Sequence, residues 1–362
     1  MSNDKKDLKY IFNKFVDGKD LTQVGNKPIG IGAYGEVREI IFRNKKMAGK
    51  LEIKKNNKEE KSEEEKLMVE LRGQNIIKIH KIYSKAIDAQ YYNLIIMDKA
   101  QLNDMQILTD YYYKRNLLKL LFDPFEQKVG DSLLRFYSRQ IINALQTLDN
   151  NYCVHYDLKP ENLLILLNLI VKLSDFSLLR KVKGEKDKTK IPGGTTGFLS
   201  PEYYVDENVT GDVARKQDYF ALGSTLFYLK YGEKMIKFNK SNDNLINEDK
   251  VINSLQYQIS FIKSRKLVDK DFIDFLTSLI SYNPNDRPSF VQIYTNKWLN
   301  KDVDYIDNII ANFENEEEKV LMELQKVDFL IEDEKRQNDK SIKKNKERDI
   351  KSYRFLFKKR KK

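Results

Sequence analysis

The amino-acid sequence predicts an α+β chain of two lobes, in which a small five-stranded sheet with one helix precedes a larger, mainly α lobe. Strand-like apolar runs separated by turn residues fill most of the first hundred residues. Apolar residues then recur at helical spacing from 101 to 152, and helical stretches alternate with polar loops beyond 200. The predicted divisions are a lead-in over 1–21, the two lobes over 22–299, and a charged helical extension with a basic tail over 300–362.

The elements of the small lobe follow from local patterns. In SEEEKLMVELRG, Leu67, Met68 and Leu71 recur at helical spacing after a charged first turn, which predicts a helix. The charged lead-in is expected to hold a short helix. The strand-like segments are KPIGIGAYGEVREIIF, which forms a hairpin around its glycines, MAGKLEIKK, IIKIHKIYSKAI and YYNLIIMDKA.

The large lobe is mostly helical. DSLLRFYSRQIINALQTL carries the clearest apolar stripe, and ENLLILLNLIVKLSDFS fits a short hairpin. An unusual insertion, YYYKRNLLKLLFDPFEQKVGD, precedes the long helix, and its Leu and Phe residues are expected in the core rather than at a docking surface. The stripe of the long helix consists of Leu133, Phe136, Ile141, Leu145 and Leu148.

The C-terminal extension has its own pattern. Apolar residues recur there at three-, four- and seven-residue spacing among Asp, Glu, Asn and Lys, which predicts an amphipathic helix over 303–335. That helix docks on the body of the protein or pairs with a partner, and the charged sequence after 335 is expected to be disordered. The stripe consists of Ile306, Ile310, Phe313, Val320, Leu324, Val327 and Ile331.

Composition excludes several classes of protein. No window of 18 residues is wholly apolar and the first residues lack a signal-peptide run, so no membrane span is expected. The single cysteine, Cys153, excludes a disulfide framework and fits a reducing compartment, so a cytoplasmic protein is expected, with the nucleus as the alternative. Cys153 lies in an apolar run, which favours a buried core residue over a reactive thiol.

The net charge of +11 is spread over a lysine-rich surface, with local clusters at 181–190 and in the terminal FLFKKRKK. A solvated surface is the simpler interpretation, so no specific nucleic-acid partner is expected. A nucleic-acid or acidic-membrane binder that acts through KKRKK is a third hypothesis, and a steep fall of binding with salt would be its signature.

Three glycines suggest contact with an anion. Gly30, Gly32 and Gly35 let a hairpin backbone approach phosphate oxygens, with amides free to point at them. The turn opens an apolar, β-branched strand from Val37 to Phe42 rather than a helix, which argues against a dinucleotide fold. An ordinary glycine turn is the plainer alternative.

A lysine follows the glycines on an apolar strand. Lys50 in MAGK is costly to bury without an anionic partner, and Glu64 on the following helical segment is the expected one. Glu63 and Glu65 stay open as alternatives, as does a surface position for Lys50.

Oxygen-bearing side chains then cluster in VHYDLKPENLLI and the following DFS. Asp157 and Asn162 on one loop, with Asp175 18 residues after Asp157, offer two carboxylates and an amide, whose oxygens suit a hard cation such as Mg²⁺. Asp157 lies on the same loop as Asn162 and can accept a proton from a hydroxyl nucleophile.

Taken together, these motifs resemble a eukaryotic-type protein kinase. The glycine loop, strand lysine, H-x-D-L-K-P-E-N loop, D-F-x and S-P-E stand in that family's order and spacing over 22–299. Asp218 in DYFALG and Asp286-Arg287-Pro288 fit as well, and DLKPEN with GTTGFLSPE resembles the serine/threonine branch. The resemblance implies a bilobal fold with a small lobe over 22–97, a hinge over 98–101 and a large lobe over 102–299.

The resemblance also implies an ATP pocket. Gly30, Gly32 and Gly35 would cover the phosphates, and Lys50, oriented by Glu64, would hold the α- and β-phosphates. Met97 would be the gatekeeper residue. The other residues expected around adenine, hinge and ribose are Ile29, Val37, Ala48, Asp98, Ala100, Asp104 and Leu164.

Catalytic roles follow from the same resemblance. Asp157 would orient the substrate hydroxyl and accept its proton, Lys159 would contact the γ-phosphate, and Thr195 would bond to both. Asn162 and Asp175 would hold Mg²⁺. The structural pair expected to hold the large lobe together is Glu202 with Arg287.

Three residues depart from the family pattern. Tyr156 replaces the Arg that binds a phosphorylated activation-loop residue, and Tyr carries no charge for that bond. Thr189 would therefore lack its main receptor, and an active enzyme that is not switched by activation-loop phosphate (a non-RD type) is expected. Ser177 replaces the Gly of D-F-G and constrains that loop without removing Asp175, while Gly49 replaces a larger strand residue.

Two hypotheses of function differ in class. The leading one is a Mg-ATP-dependent serine/threonine kinase that acts on a protein substrate. The alternative is a nucleotide-binding pseudokinase scaffold that acts through its C-terminal helix, and the intact Lys50, Asp157 and Asp175 count against it. Glu161 and Asp104 resemble positions where some family members read basic residues, so a basic peptide context is expected.

Overall fold

The structure is a computed structural model, and α-helices and β-strands are numbered below in chain order. Within its described residues, no helix is both long and apolar enough to cross a membrane. The predicted 303–335 helix and residues 111–130 of the insertion lie outside the described part. The described residues are 8–32, 35–54, 62–100, 104–105, 131–166, 169–182, 184–206, 208–236, 248–264 and 269–301.

The small lobe is a five-stranded antiparallel sheet in the order β1-β2-β3-β5-β4, as the sequence predicts. The glycine turn joins β1 to β2 as a hairpin, with Gly32 paired to Gly35, and opens a strand rather than a helix. The helices and strands of the small lobe are α1 (Leu8–Asn13), β1 (Leu21–Gly32), β2 (Gly35–Phe42), β3 (Lys45–Ile53), α2 (Glu63–Glu70), β4 (Ile79–Ile87) and β5 (Gln90–Met97).

The outer face of this sheet is covered by the lead-in. Ile11 and Phe12 of α1 are fully buried against a cluster that includes Leu51, Leu94 and Ile96. Burying two such side chains contributes roughly 3–6 kcal/mol by area, so α1 is part of the small lobe. The composition of the lead-in, which is polar and charged overall, concealed this apolar pair.

The inner face of the sheet belongs to the main core. Ala48, Ile95 and Met97 pack in one cluster with the long helix α3 (Asp131–Asn150), whose predicted apolar stripe is buried. This shared core places the inner face of β3 against the catalytic segments of the large lobe. The fold-class prediction of a bilobal α+β chain is thereby confirmed.

The large lobe combines helices with three two-stranded ladders, β6–β9, β7–β8 and β10–β11. The β7–β8 pair is the hairpin that the sequence predicts. The helices and strands of the large lobe after α3 are β6 (Cys153–Val154), β7 (Leu163–Ile165), β8 (Val171–Leu173), β9 (Arg180–Lys181), β10 (Lys188–Lys190), α4 (Pro201–Val205), β11 (Asn208–Thr210), α5 (Gly211–Tyr231), α6 (Glu248–Lys263), α7 (Lys270–Leu279) and α8 (Phe290–Tyr294).

Candidate active site

The loop that follows β6 is held through its backbone. The carboxylate of Asp218, on α5, accepts hydrogen bonds from the backbone amides of His155 at 2.7 Å and Tyr156 at 3.0 Å. The ring of His155 donates from Nε2 to the Ser174 carbonyl at 3.0 Å and accepts from the Asp157 amide at 3.2 Å. Tyr156 has a positive φ of 66°. Because buried backbone amides require partners, Asp218 fixes this turn and with it the direction of Asp157.

Asp157, Lys159 and Thr195 form one hydrogen-bonded group. Lys159 Nζ lies 2.9 Å from Asp157 Oδ2 and donates to Thr195 Oγ1 at 2.6 Å. Thr195 Oγ1 in turn donates to Asp157 Oδ1 at 2.7 Å. The resemblance predicts these contacts. They hold a buried carboxylate in one orientation beside an ammonium group.

Asn162 and Asp175, the predicted metal ligands, approach the same region from two loops. Asn162 Nδ2 donates to the Asp157 carbonyl at 2.7 Å and to Asp157 Oδ2 at 3.1 Å, so these bonds leave its amide oxygen uncommitted. Burial alone would raise the pKa of Asp175, but the charge of Lys50 and hydrogen bonds from Lys50 and Ser177 lower that pKa to about 2. A carboxylate that stays ionised and an amide oxygen are the ligand types that Mg²⁺ prefers, so these residues fit that ion.

Ser177 takes part in the site directly. Its hydroxyl donates to Asp175 Oδ1, and its backbone amide donates to the same oxygen at 3.4 Å. Asp175 itself adopts a left-handed conformation with φ of 60°. The residue that replaces glycine therefore adds donors to the carboxylate, whereas sequence reasoning expected it to act only through backbone angles.

Lys50 does not pair with the predicted helix residue. Lys50 Nζ donates to Asp175 Oδ1 at 2.6 Å and lies 3.5 Å from Glu52 Oε2, and the hydroxyl of Ser177 is 3.3 Å away. Among the described contacts of Lys50 there is none with Glu64, which corrects the predicted pairing. The physical reason lies in how α2 begins.

Helix α2 presents Glu65, not Glu64, to the sheet. Ser62 and Glu65 form a capping box, in which each side chain bonds the backbone amide of the other residue. Glu65 also accepts hydrogen bonds from Lys54 Nζ at 3.2 Å and Asn93 Nδ2 at 2.6 Å. The sequence analysis missed Lys54 and Glu65 as a pair, although the capping signature Ser-Glu-Glu-Glu at 62–65 was present to be found.

The predicted adenine pocket lies on the inner face of the sheet. Ala48 pairs with Met97 across β3 and β5, and Val37 pairs with Lys50 across β2 and β3. From the large lobe, Leu164 forms an antiparallel bridge with Asp104. Val37 and Leu164 both pack against the core cluster that contains Ala48 and Met97, so residues of both lobes meet in this region.

The remaining predicted pocket residues frame its edges. Gly30 pairs with Val37 in the glycine hairpin, and Ile29 next to it is 51% exposed. At the hinge, the Asp98 amide donates to the Lys78 carbonyl at 3.1 Å, and Ala100 is the last described residue before a gap. An apolar side chain so exposed at the rim is available to a ligand, which suits the predicted role of Ile29.

Tyr156 is buried in an apolar cluster. The ring shares that cluster with Val154 and Leu178 and with the later residues Ile191 and Val209. Burial, followed by the negative charge of Asp218, raises the pKa of the Tyr156 phenol to about 12, so the side chain is neutral.

Glu202 and Arg287 form the predicted ion pair inside the large lobe. Arg287 Nη2 donates to Glu202 Oε1 at 2.6 Å, and Arg287 also donates from Nε to the Ser281 carbonyl at 2.9 Å. Gln217 donates to the other carboxylate oxygen at 3.0 Å, a partner that the sequence analysis missed. These bonds satisfy a buried charge, and the pair ties α4 to the segment before α8.

Comparison with known proteins agrees with this geometry. Residues 24–299 match the family model described as the protein kinase domain. This match covers well over half of the chain, so the chain belongs to the protein kinase family, and the resemblance found in its motifs is confirmed.

The chain is similar to several proteins that are named serine/threonine-protein kinases. The chain is 24% identical over 278 residues to the serine/threonine-protein kinase polo of Drosophila melanogaster, an alignment that covers 75% of this chain and 43% of that protein. It is 24% identical over 293 residues to the serine/threonine-protein kinase tousled-like 1-B of Danio rerio, covering 75% and 36%. Human serine/threonine-protein kinase MRCK alpha is 30% identical over 133 residues, covering 36% and 8%. The chain spans less than half the length of these relatives.

Proposed function

We propose that this chain is an active protein kinase that transfers the γ-phosphoryl group of Mg-ATP to a serine or threonine hydroxyl of a protein substrate. The observation that carries the proposal is the group formed by Asp157, Lys159 and Thr195. A single hydroxyl bridges a carboxylate and an ammonium there, at 2.7 and 2.6 Å. That arrangement positions one base and one cation for phosphoryl transfer.

Asp157 acts as the proton acceptor. Thr195 binds Oδ1, while Lys159 and Asn162 both approach Oδ2, so the carboxylate cannot rotate freely. A substrate hydroxyl brought within hydrogen-bond reach of Asp157 would be aligned and would lose its proton to it. Lys159 places a positive charge beside the γ-phosphoryl group, which the substrate hydroxyl attacks.

Lys50 and Asp175 face the nucleotide from the other side. Asp175 and Asn162 would hold Mg²⁺, which would neutralise charge on the phosphate oxygens. Lys50 supplies a second positive charge from the small lobe, close to Asp175. Phosphoryl transfer depends mainly on such placement and charge neutralisation, so all the groups that it requires are present.

The activation segment (residues 175–202) is held by packing in place of a phosphate contact. Residues 188–190 pair with 208–210 in an antiparallel ladder, with Thr189 opposite Val209. Beneath them, Tyr156 fills an apolar cluster with Ile191 and Val209. A phosphate receptor at this position would require a positive charge, which the neutral Tyr156 side chain does not supply. The proposal therefore includes activity without phosphate on Thr189.

The test is turnover by purified protein that has been treated with phosphatase, with Mg-ATP and a basic serine/threonine peptide. Turnover should persist in the parent and in Thr189→Ala, and should disappear in Asp175→Asn, which loses the charged metal ligand. If the parent binds nucleotide without turnover, the pseudokinase scaffold replaces this proposal. If only Thr189→Ala is inactive, activation does depend on that residue.

A further inference from the structure

A row of alternating charges runs along the inner face of strand β3 and ends at Lys54, the residue that follows the strand. Lys50, Glu52 and Lys54 lie two residues apart, so their side chains point to the same side of the sheet. All three side chains are largely buried, at 11%, 14% and 4% exposure. Three charges in a buried row are costly unless each has a partner of opposite sign, so their pairing defines the role of each residue.

The far end of the row holds helix α2. Lys54 Nζ donates to Glu65 Oε2 at 3.2 Å and to Ser84 Oγ at 3.2 Å. Glu65 also binds Asn93 and the amide of Ser62. The carboxylate of Glu65 is committed to these groups and is not among the described contacts of Lys50.

The near end of the row belongs to Lys50. Glu52 Oε2 lies 3.5 Å from Lys50 Nζ, and within the described residues this oxygen receives no hydrogen bond. Across the ladder from Glu52 stands Gly35, which has no side chain to cover the carboxylate at that register position. Glu52 is thus a buried carboxylate that Lys50 faces directly.

We infer that Glu52 is the positioning residue for Lys50, and that it does the work for which the sequence pattern pointed to a glutamate on α2. This inference rests on the proposed kinase function. Asp175, the other anion at Lys50, is also the expected metal ligand, and a carboxylate that serves a metal ion offers less to an ammonium. Glu52 has no such second duty, and its carboxylate lies 3.5 Å from Lys50 Nζ.

The consequence concerns regulation. A lysine positioned from its own strand stays oriented whether or not α2 moves, because Lys50 and Glu52 are two residues apart on one rigid element. Positioning of Lys50 and anchoring of α2 become separate tasks, done by Glu52 and Glu65. Loss of the Lys54–Glu65 pair would loosen α2 without disturbing the Lys50–Glu52 pair.

The test compares two matched substitutions in the full chain, Glu52→Gln and Glu64→Gln. Glu52→Gln should lower kcat/KM for ATP by at least about 10-fold, because a displaced catalytic group is costly in rate. The KM for the peptide should stay unchanged. The melting temperature should change little, because Lys50 keeps Asp175 as a charged partner at 2.6 Å while the protein no longer buries the charge of Glu52. Glu64→Gln should stay within about 2-fold of the parent.

Glu52→Asp, which keeps the charge on a shorter side chain, should recover part of the lost rate. A purely structural role would instead lower the melting temperature of Glu52→Gln and reduce all kinetic parameters together. The inference is overturned if Glu52→Gln retains the parent rate, and above all if Glu64→Gln loses it.

A binding arm separates this inference from the proposed function. The affinity of each variant for a fluorescent ATP analogue with Mg²⁺ is measured beside turnover. If the parent shows no turnover, the proposed function fails, and weaker analogue binding by Glu52→Gln than by Glu64→Gln still supports the positioning role. Equal binding by both variants, or no binding by the parent, overturns it.

Discussion

The loop after β6 and strand β3 position the charged residues Asp157 and Lys50 of the candidate active site by different means. On the loop, two backbone amides bind Asp218, so the path of the chain itself fixes where Asp157 points. On β3, charged side chains hold each other in a buried row, and Lys50 reaches across to Asp175 in the other lobe. The loop is therefore fixed by backbone amides that bind one distant side chain, Asp218 of α5, whereas on the strand charged side chains hold one another.

This difference predicts how substitutions act in the loop and in the strand. Substitutions on the loop should remove chemistry and leave the fold intact, because the backbone frame does not rely on the reacting side chains. Substitutions along β3 and α2 should alter stability or lysine orientation, since buried charges lose their partners there.

The largest effect is expected from Asp157→Asn. The variant keeps the shape of the side chain but cannot accept a proton, so turnover should fall by about 10²- to 10⁴-fold. Nucleotide affinity and melting temperature should change little. Steady-state kinetics with a peptide substrate, together with nucleotide titration, measure both. Full turnover in this variant would show that Asp157 is not the base.

The next largest effect is expected on stability from Glu65→Gln. Lys54 would lose its charged partner in a buried site, which should lower the free energy of unfolding by about 3–5 kcal/mol. Glu64→Gln on the same helix should have a free energy of unfolding within about 0.5 kcal/mol of the parent, as is usual for substitutions away from buried networks. Urea denaturation compares the two. Equal losses would show that the ion pair is not what anchors α2.

A smaller effect on rate is expected from Thr195→Val. This change removes a hydrogen bond to a charged group, a contribution of about 1.5–3 kcal/mol, so turnover should fall by roughly 10- to 100-fold. Thr195→Ser keeps the bridging hydroxyl and serves as the matched control. If Thr195→Ser loses as much turnover as Thr195→Val, the bridging hydroxyl by itself does not account for the loss.

The smallest effect concerns Cys153, which lies just before the catalytic loop. Burial raises the pKa of its thiol to about 11, so very little thiolate exists near pH 8. Alkylation by iodoacetamide should be at least about 100-fold slower in the folded protein than in urea, and should accelerate as pH rises toward that pKa. Cys153→Ser controls for other sites. Fast alkylation of the native protein would show that the loop region opens readily.

Much of the fold could be predicted because its signals are local. The buried stripe of α3, including Leu145 and Leu148, follows from helical spacing, and the five strands follow from apolar runs between turns. The glycine hairpin was predictable because the residues after it favour a strand. By contrast, Ile11, Phe12 and Phe15 stand in a short stretch of an otherwise charged segment, so their burial depended on the sheet face that they cover.

The site divides in the same way. The grouping of Asp157, Lys159 and Thr195 followed from the family resemblance, since those residues sit in a motif of fixed order. The side-chain role of Ser177 and the apolar setting of Tyr156 did not, because each depends on neighbours distant in sequence, such as Lys50 and Val209. A local sequence motif does not show which residues from distant parts of the chain pack beside Ser177 or Tyr156.

By itself, the sequence determined which backbone elements present the candidate catalytic residues, because periodicity, glycine and capping signals act within a few residues. Only the tertiary structure decided which carboxylate faces Lys50. Residues 63–65 are all Glu, and successive positions on a helix differ by about 100° in direction. The cap at Ser62 and the buried Lys54 select Glu65 for the sheet, and β3 supplies Glu52 to the lysine.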